Sequence, residues 1–324
     1  MGKRGVIGID IGGTKTLCAL FDHNFNLLDC VNFKTAPDKG RKFFTEHLTR
    51  AIRKLARAAK HHKLDLLGIG VACAGKVDPG KGLIEDSPNI PYLEGCALGK
   101  ILKKAVHLPT VLGNDVQLAL YGEHRMGAAV GCANVLAVLF GTGVGSAAII
   151  NNELYTGSGG HGGTVGCTLA QPIGGAENIR SHGTLDQLAS KATIAGAALG
   201  LAAKQWAPAL YEEAGTDLAN VTWGALARAR KAGDKHVNEL LCSRLRIVGI
   251  SLSSIVNFLN PDMLLLGGGL TEQMPRLVVS AVESGLRDYL LPEISNDLKI
   301  KAAKFGNQAG AIGAARLAFK KFED

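Results

Sequence analysis

Apolar and polar positions follow the same short pattern at two places in the chain. An apolar run over residues 6–10 closes on Asp10, a glycine turn follows, and a second apolar run fills residues 16–21. Runs of about five residues that meet at glycines predict a β-hairpin, since a helix needs a longer periodic stretch. Residues 134–150 repeat the design, with VLAVLF leading into GTGVG and out through SAAII. One such hairpin in each half predicts a duplicated α/β architecture whose two turns face each other across a cleft.

Between the hairpins, residues 67–73 read as a buried strand. Residues 109–113 read as another, which delivers Asn114 and Asp115 at its end, and residues 116–126 predict the helix that follows. Beyond Thr184 the periodicity becomes helical and alanine-rich over residues 185–205, 223–232 and 235–258, and Pro261 closes that stretch. Residues 263–266 predict a strand, Gly267-Gly268-Gly269 a loop, and residues 309–322 a final helix. No low-complexity linker separates the halves. The boundary is expected near Asp115, giving an N-terminal lobe of residues 1–117, completed by the helix at 309–324, and a C-terminal lobe of residues 118–308.

Composition narrows the class. The 324 residues are 47% hydrophobic and 20% charged, which excludes a disordered chain, a collagen and a disulfide miniprotein, and the length suits two domains. Lys and Arg number 36 against 28 Asp and Glu, a formal charge of +8. Much of that excess lies in residues 39–63, where Phe44, Leu48, Ile52 and Leu55 recur at helical spacing with Arg50, Arg53, Lys54, Arg57 and Lys60 between them. This reads as the solvated face of an amphipathic helix. Residues 50–60 hold no aromatic side chain on which bases could stack, so no nucleic-acid partner is expected.

Seven scattered cysteines (Cys18, Cys30, Cys73, Cys96, Cys132, Cys167, Cys242), without a C-x-x-C pair, read as reduced thiols of a cytoplasmic protein. Asp10 arrives before an apolar leader segment could be completed, so no signal peptide is expected. Residues 126–152 carry no charge and are long enough to span a bilayer. The glycines at 141, 143 and 145 interrupt them, which predicts a buried strand-turn-strand and no membrane partner.

Three places could carry chemistry. In Asp10-Ile11-Gly12-Gly13-Thr14-Lys15-Thr16, glycines let backbone N–H groups approach an anion while Thr and Lys add a hydroxyl and a positive charge. Asp10 would there hold Mg²⁺, directly or through water. Gly141-Thr142-Gly143-Val144-Gly145 is a second candidate phosphate turn. The third is Gly113-Asn114-Asp115, where the Asp is either a helix N-cap or a carboxylate placed to take a proton from an attacking hydroxyl.

Taken in order, GIDIGGTKT, GVACAGKVD (70–78), SPNIP (87–91), LGND (112–115), LFGTGVGSAAI, NPDMLLLGGGL (260–270) and AGAIGAA resemble the ROK family of sugar kinases and repressors. The resemblance implies the duplicated actin-like, ribonuclease-H-like ATPase fold, with two lobes around a nucleotide and sugar cleft. It implies ATP and Mg²⁺ as the phosphate donor and its metal, and a hexose as acceptor. Asp115 would be the base, and Ala74, Gly75, Asn89 and Asn114 would line the sugar. Asp10, Gly12, Gly13, Thr14 and Lys15, with Gly141, Thr142 and Gly143, match the phosphate and metal loops, and Gly267, Gly268 and Gly269 match the loop beside adenosine. A homodimer built through the second lobe is a further implication.

The chain departs from the family pattern between residues 157 and 186. Thr164 stands where a Glu is usual, Cys167 where a zinc-binding His is usual, Thr184 at the last cysteine of the family's cluster, and Asp186 at its final glutamate. A structural zinc needs about four N or S ligands; His161 and His182 read as loop residues, so no zinc is expected. Thr164, Cys167 and Asp186 remain the sugar-loop candidates. Glucose, phosphorylated at its 6-hydroxyl, leads as substrate. Mannose, fructose, N-acetylmannosamine and N-acetylglucosamine stay open, because the polar residues that set sugar specificity are the ones that differ, and the stretch around Thr164 resembles that of N-acetylmannosamine kinases. A repressor would carry a helix-turn-helix ahead of the ATPase loop, for which the residues before Asp10 leave no room. A sugar- or nucleotide-binding protein without turnover is the remaining alternative.

Overall fold

The computed structural model describes residues 3–170 and 183–323. They form two compact units: Met1–Val130 with Thr156–Gly162 and Asn307–Asp324, and Gly131–Tyr155 with Gly163–Gly306.

The first unit is built from strands β1 (Lys3–Ile11), β2 (Lys15–Asp22) and β3 (Leu27–Lys34), helix α1 (Gly40–His61), strands β4 (Leu64–Cys73), β5 (Lys76–Asp78) and β6 (Leu83–Asp86), helix α2 (Leu98–Val106), strand β7 (Thr110–Asn114) and helix α3 (Asp115–Met126). The C-terminal helix Ala309–Phe322 completes it. Its five-stranded sheet runs β3-β2-β1-β4-β7, antiparallel from β3 to β1 and parallel from β1 to β7.

Side chains alternate across β1 with the strand period of two. Ile7, Ile9 and Ile11 join the core under α1, where Phe44, Leu48, Ile52 and Leu55 are buried. α1 has no side-chain N-cap. Each of those buried side chains contributes roughly 1.5–3 kcal/mol, against about 1 kcal/mol for a missing cap, so packing decides that this segment is a helix. The opposite face of β1 meets the C-terminal helix. There Gly8 and Gly70 admit its backbone directly: a Cβ on either would lie 2.1 Å from the Ala311 carbonyl oxygen or 1.8 Å from that of Ala314.

The expected boundary at 117/118 differs from this division for a physical reason. α3 packs on the C-terminal helix so closely that a Cβ at Gly313 would lie 1.7 Å from the Leu118 carbonyl oxygen, which keeps α3 in the first unit.

The second unit comprises β8 (Val135–Phe140), β9 (Val144–Ile150), β10 (Glu153–Tyr155), α4 (Leu185–Ala189), α5 (Lys191–Ala203), α6 (Pro208–Ala214), α7 (Trp223–Lys231), α8 (Lys235–Leu259), β11 (Met263–Gly267), α9 (Gly268–Gln273), α10 (Pro275–Arg287), α11 (Pro292–Asp297) and β12 (Lys299–Ala302). Its sheet runs β10-β9-β8-β11-β12 with the same succession of antiparallel and parallel pairs. Every strand of the first sheet therefore has a counterpart in the second, which is the duplicated α/β architecture read from the paired hairpins.

Three local expectations are corrected. The helix over 185–205 is broken at Ser190, whose extended backbone ends α4 and whose hydroxyl accepts from Thr193 N to start α5. Gly267-Gly268-Gly269 is not a loop: Gly267 ends β11 and Gly268 opens α9. Gly268 has φ +83° and a Cβ there would lie 2.5 Å from the Phe140 carbonyl oxygen, so the strand can turn straight into a helix only with glycine. Asp115 is not the N-cap of α3, because Asn114 is. The uncharged stretch 126–152 contains the β8–β9 hairpin, and among the described residues no helix is long and apolar enough to cross a membrane.

Candidate active site

In the first unit, the hairpin turn between β1 and β2 is closed by Gly12 N donating to the Lys15 carbonyl at 3.1 Å. Thr14 and Lys15 are exposed, and Gly12 and Gly13 are half-buried. The turn is braced from below by Thr35, a fully buried residue that the sequence motifs did not single out. Its hydroxyl donates to the Gly12 carbonyl at 2.7 Å and its N–H donates to the Thr14 carbonyl at 2.9 Å. Asn89 packs on the other side, where a Cβ at Gly13 would lie 3.3 Å from the Asn89 Cβ.

Asn114 ties the end of β7 to the turn after β4. Its Nδ2 donates to the Gly75 carbonyl at 3.0 Å, and its Oδ1 accepts from Gln117 N at 3.0 Å. Because Asn114 caps the helix, the Asp115 carboxylate is released from that duty. Ser87 donates to the Ala74 carbonyl at 2.9 Å, so Ala74, Gly75, Asn89 and Asn114 are held in one connected patch with the Gly12 turn.

Asp10 and Asp115 sense each other electrostatically here. Burial, the charge of Asp115 and, in opposition, Lys15 bring the Asp10 carboxyl up to about 7. Burial also pushes Asp115 up, while the N–H of Val116, its own N–H and the Asn114 side chain hold it back. Both keep part of their surface open. Gly310 of the C-terminal helix lies against Asp10, and a Cβ at that position would come within 2.7 Å of the carboxylate. Two carboxylates raised by burial, one beside a glycine turn, form a site that can accept a proton or a hard cation.

In the second unit, the turn between β8 and β9 closes through Gly141 N and the Gly143 carbonyl at 2.8 Å, leaving Thr142 exposed. The Asp186 side chain reaches this turn from α4. Its Oδ1 accepts from Val144 N at 2.6 Å, and Gly143 leaves the space, since a Cβ there would lie 2.5 Å from that oxygen. The contact gives Asp186 a bracing part in the turn. Thr164 and Cys167 are exposed and lie in a segment strapped to β9 by Ser146, which donates to the Gly163 carbonyl at 2.6 Å and accepts from Val165 N at 2.5 Å. Gly269 lies against the indole edge of Trp223, whose Cδ1 would be 2.9 Å from a Cβ at that position.

Thus Asp10, Gly12, Gly13, Thr14, Lys15, Ala74, Gly75, Asn89, Asn114 and Asp115 belong to the first unit. Gly141, Thr142, Gly143, Thr164, Cys167, Asp186, Gly267, Gly268 and Gly269 belong to the second. Thr35, Ser87, Ser146 and Trp223 were not among the candidates. Thr35 and Trp223 lie outside every quoted motif, and Ser87 and Ser146 lie inside two of them but carry no glycine or charge that marks a site. Among the described residues no three His, Cys, Asp or Glu side chains converge as a metal site, and His182 lies outside the described residues.

Known proteins align with nearly the whole chain. The model of the ROK family matches residues 6–321. A glucokinase of Halalkalibacterium halodurans is 28% identical over 98% of this chain and 96% of its own length. The crystal structure of a ROK family glucokinase from Streptomyces griseus, in complex with glucose and AMPPNP, superposes with a TM-score of 0.83 at 27% identity, covering 98% of this chain and 99% of that one. A ROK hexokinase from Thermus thermophilus superposes with a TM-score of 0.78 at 30% identity over 99% of both chains.

Proposed function

This chain belongs to the ROK family, and from that premise we propose that it is an ATP-dependent sugar kinase acting on the 6-hydroxyl of a hexose, glucose first. The observation that carries the reading is the Asp115 carboxylate, released from helix capping by Asn114 and raised by burial toward the pH at which it would work.

Phosphoryl transfer asks a protein mainly for positioning and charge neutralisation. Asn89, Asn114 and the turn at Ala74-Gly75 would orient the sugar, with the attacking hydroxyl toward Asp115. As the oxygen–phosphorus bond forms, the hydroxyl proton passes to an Asp115 carboxylate oxygen and the bond to the leaving ADP oxygen breaks, taking its electron pair. Backbone N–H groups of the Gly12-Gly13 turn, with Thr14 and Lys15, would receive the transferred phosphate. In the second unit, the turn braced by Asp186, with the exposed Thr142, would by itself offer N–H and hydroxyl donors to a nucleotide phosphate, and the Gly268-Gly269 helix start beside Trp223 would carry adenosine.

The Asp10 carboxylate also fits Mg²⁺, since a hard oxygen donor suits it and burial disfavours its bare charge. Asp10 would hold the ion, directly or through water. When bound, it supplies neutralisation of the phosphate charge.

A second reading, an N-acetylhexosamine kinase, is favoured by Thr164: a small neutral hydroxyl in place of a carboxylate leaves more room near the sugar and alters its polar partners. A coupled ADP-release assay with Mg·ATP against a panel of hexoses and N-acetylhexosamines tests both readings. Turnover with glucose, lost about 10²- to 10⁴-fold in Asp115→Ala, is the expected result. Turnover with N-acetylhexosamines alone would select the second reading. Binding of ATP without turnover on any sugar would replace both with a non-catalytic sugar-binding protein.

A further inference from the structure

Thr35 is joined to more of the site than its brace under the Gly12 turn. It is fully buried and follows β3, away from every glycine motif. Its Oγ1 lies 3.0 Å from the Thr16 hydroxyl. Because the Thr35 hydroxyl proton goes to the Gly12 carbonyl, Thr16 is the donor in that pair. Gly12, Thr14 and Thr16 are therefore all anchored on one residue.

The remaining polar group of Thr35, its carbonyl, accepts from the Tyr92 hydroxyl at 2.9 Å. Tyr92 lies three residues beyond Asn89, in the short turn Pro91–Leu93. That turn is itself clamped, because Arg41 Nε donates to the Tyr92 carbonyl and Arg41 Nη2 to the Glu94 carbonyl, both at 2.7 Å. The Tyr92 ring packs on Phe44 with centroids 5.7 Å apart, which fixes the direction of its hydroxyl. Two routes thus run from the Asn89 segment to the Gly12 turn: direct packing of Asn89 on Gly13, and a strut of hydroxyls through Tyr92 and Thr35.

We propose that Thr35 and Tyr92 are positioning residues, a buried strut that sets the phosphate turn of residues 12–16 in register with the sugar-side segment carrying Asn89. Neither touches a reacting atom. The inference rests on the kinase reading above for its consequence in transfer, and on the turn geometry alone for its mechanical part. A turn held in this way presents its amides in one arrangement when the sugar hydroxyl is in place, and loosening it lowers the fraction of encounters in which phosphate and acceptor are aligned.

Three variants separate the hydroxyls from the bulk around them: Thr35→Val, Thr35→Ser and Tyr92→Phe. Each is assayed for kcat and both KM values with the sugar that the wild type accepts, and each is followed by amide hydrogen exchange of residues 12–16 without ligands. Thr35→Val should lower kcat by roughly 5- to 100-fold, the effect of leaving buried polar groups without their partner, with the sugar KM within about 2-fold of wild type. Tyr92→Phe should lower it by roughly 2- to 10-fold. Thr35→Ser, which keeps the hydroxyl, should restore most of kcat. The turn amides should exchange faster in Thr35→Val while those of β4 and β7 keep their protection.

A purely structural part would lower melting temperature and leave kcat per folded molecule and the turn's exchange unchanged, which overturns the proposal. Equal damage in Thr35→Ser and Thr35→Val would also overturn it, since the methyl group would then be what matters. A wild type that turns over no sugar defeats the kinase reading instead. The exchange comparison then decides the strut by itself, and unaltered exchange in Thr35→Val rejects it.

Discussion

The two units share a sheet order and a hairpin turn, yet they place negative charge in opposite ways. In the first, the strand before the turn ends in Asp10 and Ile11, and the far edge strand β7 runs into Asp115. Both carboxyls are raised by burial. In the second, the strand before the turn ends in Leu139 and Phe140, and β12 is followed by Ala303 and Lys304. Its carboxylate comes instead from α4, and Asp186 is engaged by the Val144 N–H of the turn. The same backbone plan therefore yields a pair of carboxyls raised by burial in one copy and a braced turn in the other. A duplicated fold can divide labour by moving one acidic residue from the strand end to a neighbouring helix.

That contrast can be broken from either side. The largest effect belongs to Asp115→Ala, the loss in kcat already described. Asp186→Ala should act differently. Removing the acceptor of the Val144 N–H leaves a half-buried donor unpaired, a loss of about 1–3 kcal/mol, and should raise the KM for Mg·ATP by roughly 5- to 100-fold with a much smaller change in kcat. Steady-state kinetics on the two variants side by side check this. A drop in kcat for Asp186→Ala comparable to that of Asp115→Ala would put both acids in the chemistry and erase the division.

Asp10 sharpens the comparison through pH. Its carboxyl titrates near 7 in the folded chain and near 3.8 as a free side chain, so the folded state holds the proton more tightly. Its contribution to stability is fully present below pH 3.8 and is lost as pH rises through about 7. Asp10→Asn, which cannot ionise, should melt a few degrees above wild type at pH 8 and lose that advantage at pH 4.5. Thermal melts at the two pH values, without added metal, give the result. A constant difference between them would mean that Asp10 is not held against its charge.

The smallest effect is spectroscopic. Both tryptophans lie in the second unit, Trp206 half exposed and Trp223 against Gly269. ATP should change the emission of wild type and of Trp206→Phe, and leave Trp223→Phe unchanged. A signal that survives in Trp223→Phe would move adenosine away from the α9 start.

Motifs made of glycine and acid announced themselves in the sequence because backbone approach and charge are local demands. Asp10, the Gly12 and Gly141 turns, and Asn114-Asp115 could be read for that reason, and so could both hairpins. Thr35 could not, because its value comes from pairing about 20 residues back and 57 residues ahead. The α4–α5 break was hidden because Ser190 interrupts an otherwise helical composition by capping, an event of one hydroxyl. Gly267-Gly268-Gly269 looked like a loop because three glycines disfavour a helix. Contact with Phe140 overrides that preference and makes glycine the residue the helix start requires. The contact of Asp186 with the Val144 N–H could not be read, because matching it to a family position fixed its neighbours along the chain and not the turn amide it meets across the fold.

The C-terminal helix lies backbone to backbone on β1, β4 and α3 through Gly8, Gly70 and Gly313, so no side chain of another segment can stand in for it. On the ribosome this reverses the customary order in which domains mature from the N-terminus. Residues 131–306 contain the whole of the second unit, and they are synthesised before residue 307 is added. The first unit, although begun earlier, waits with its sheet face uncovered until the last helix is synthesised. A chain truncated after residue 306 should therefore protect the second sheet from protease while β1 and β4 remain open to cleavage.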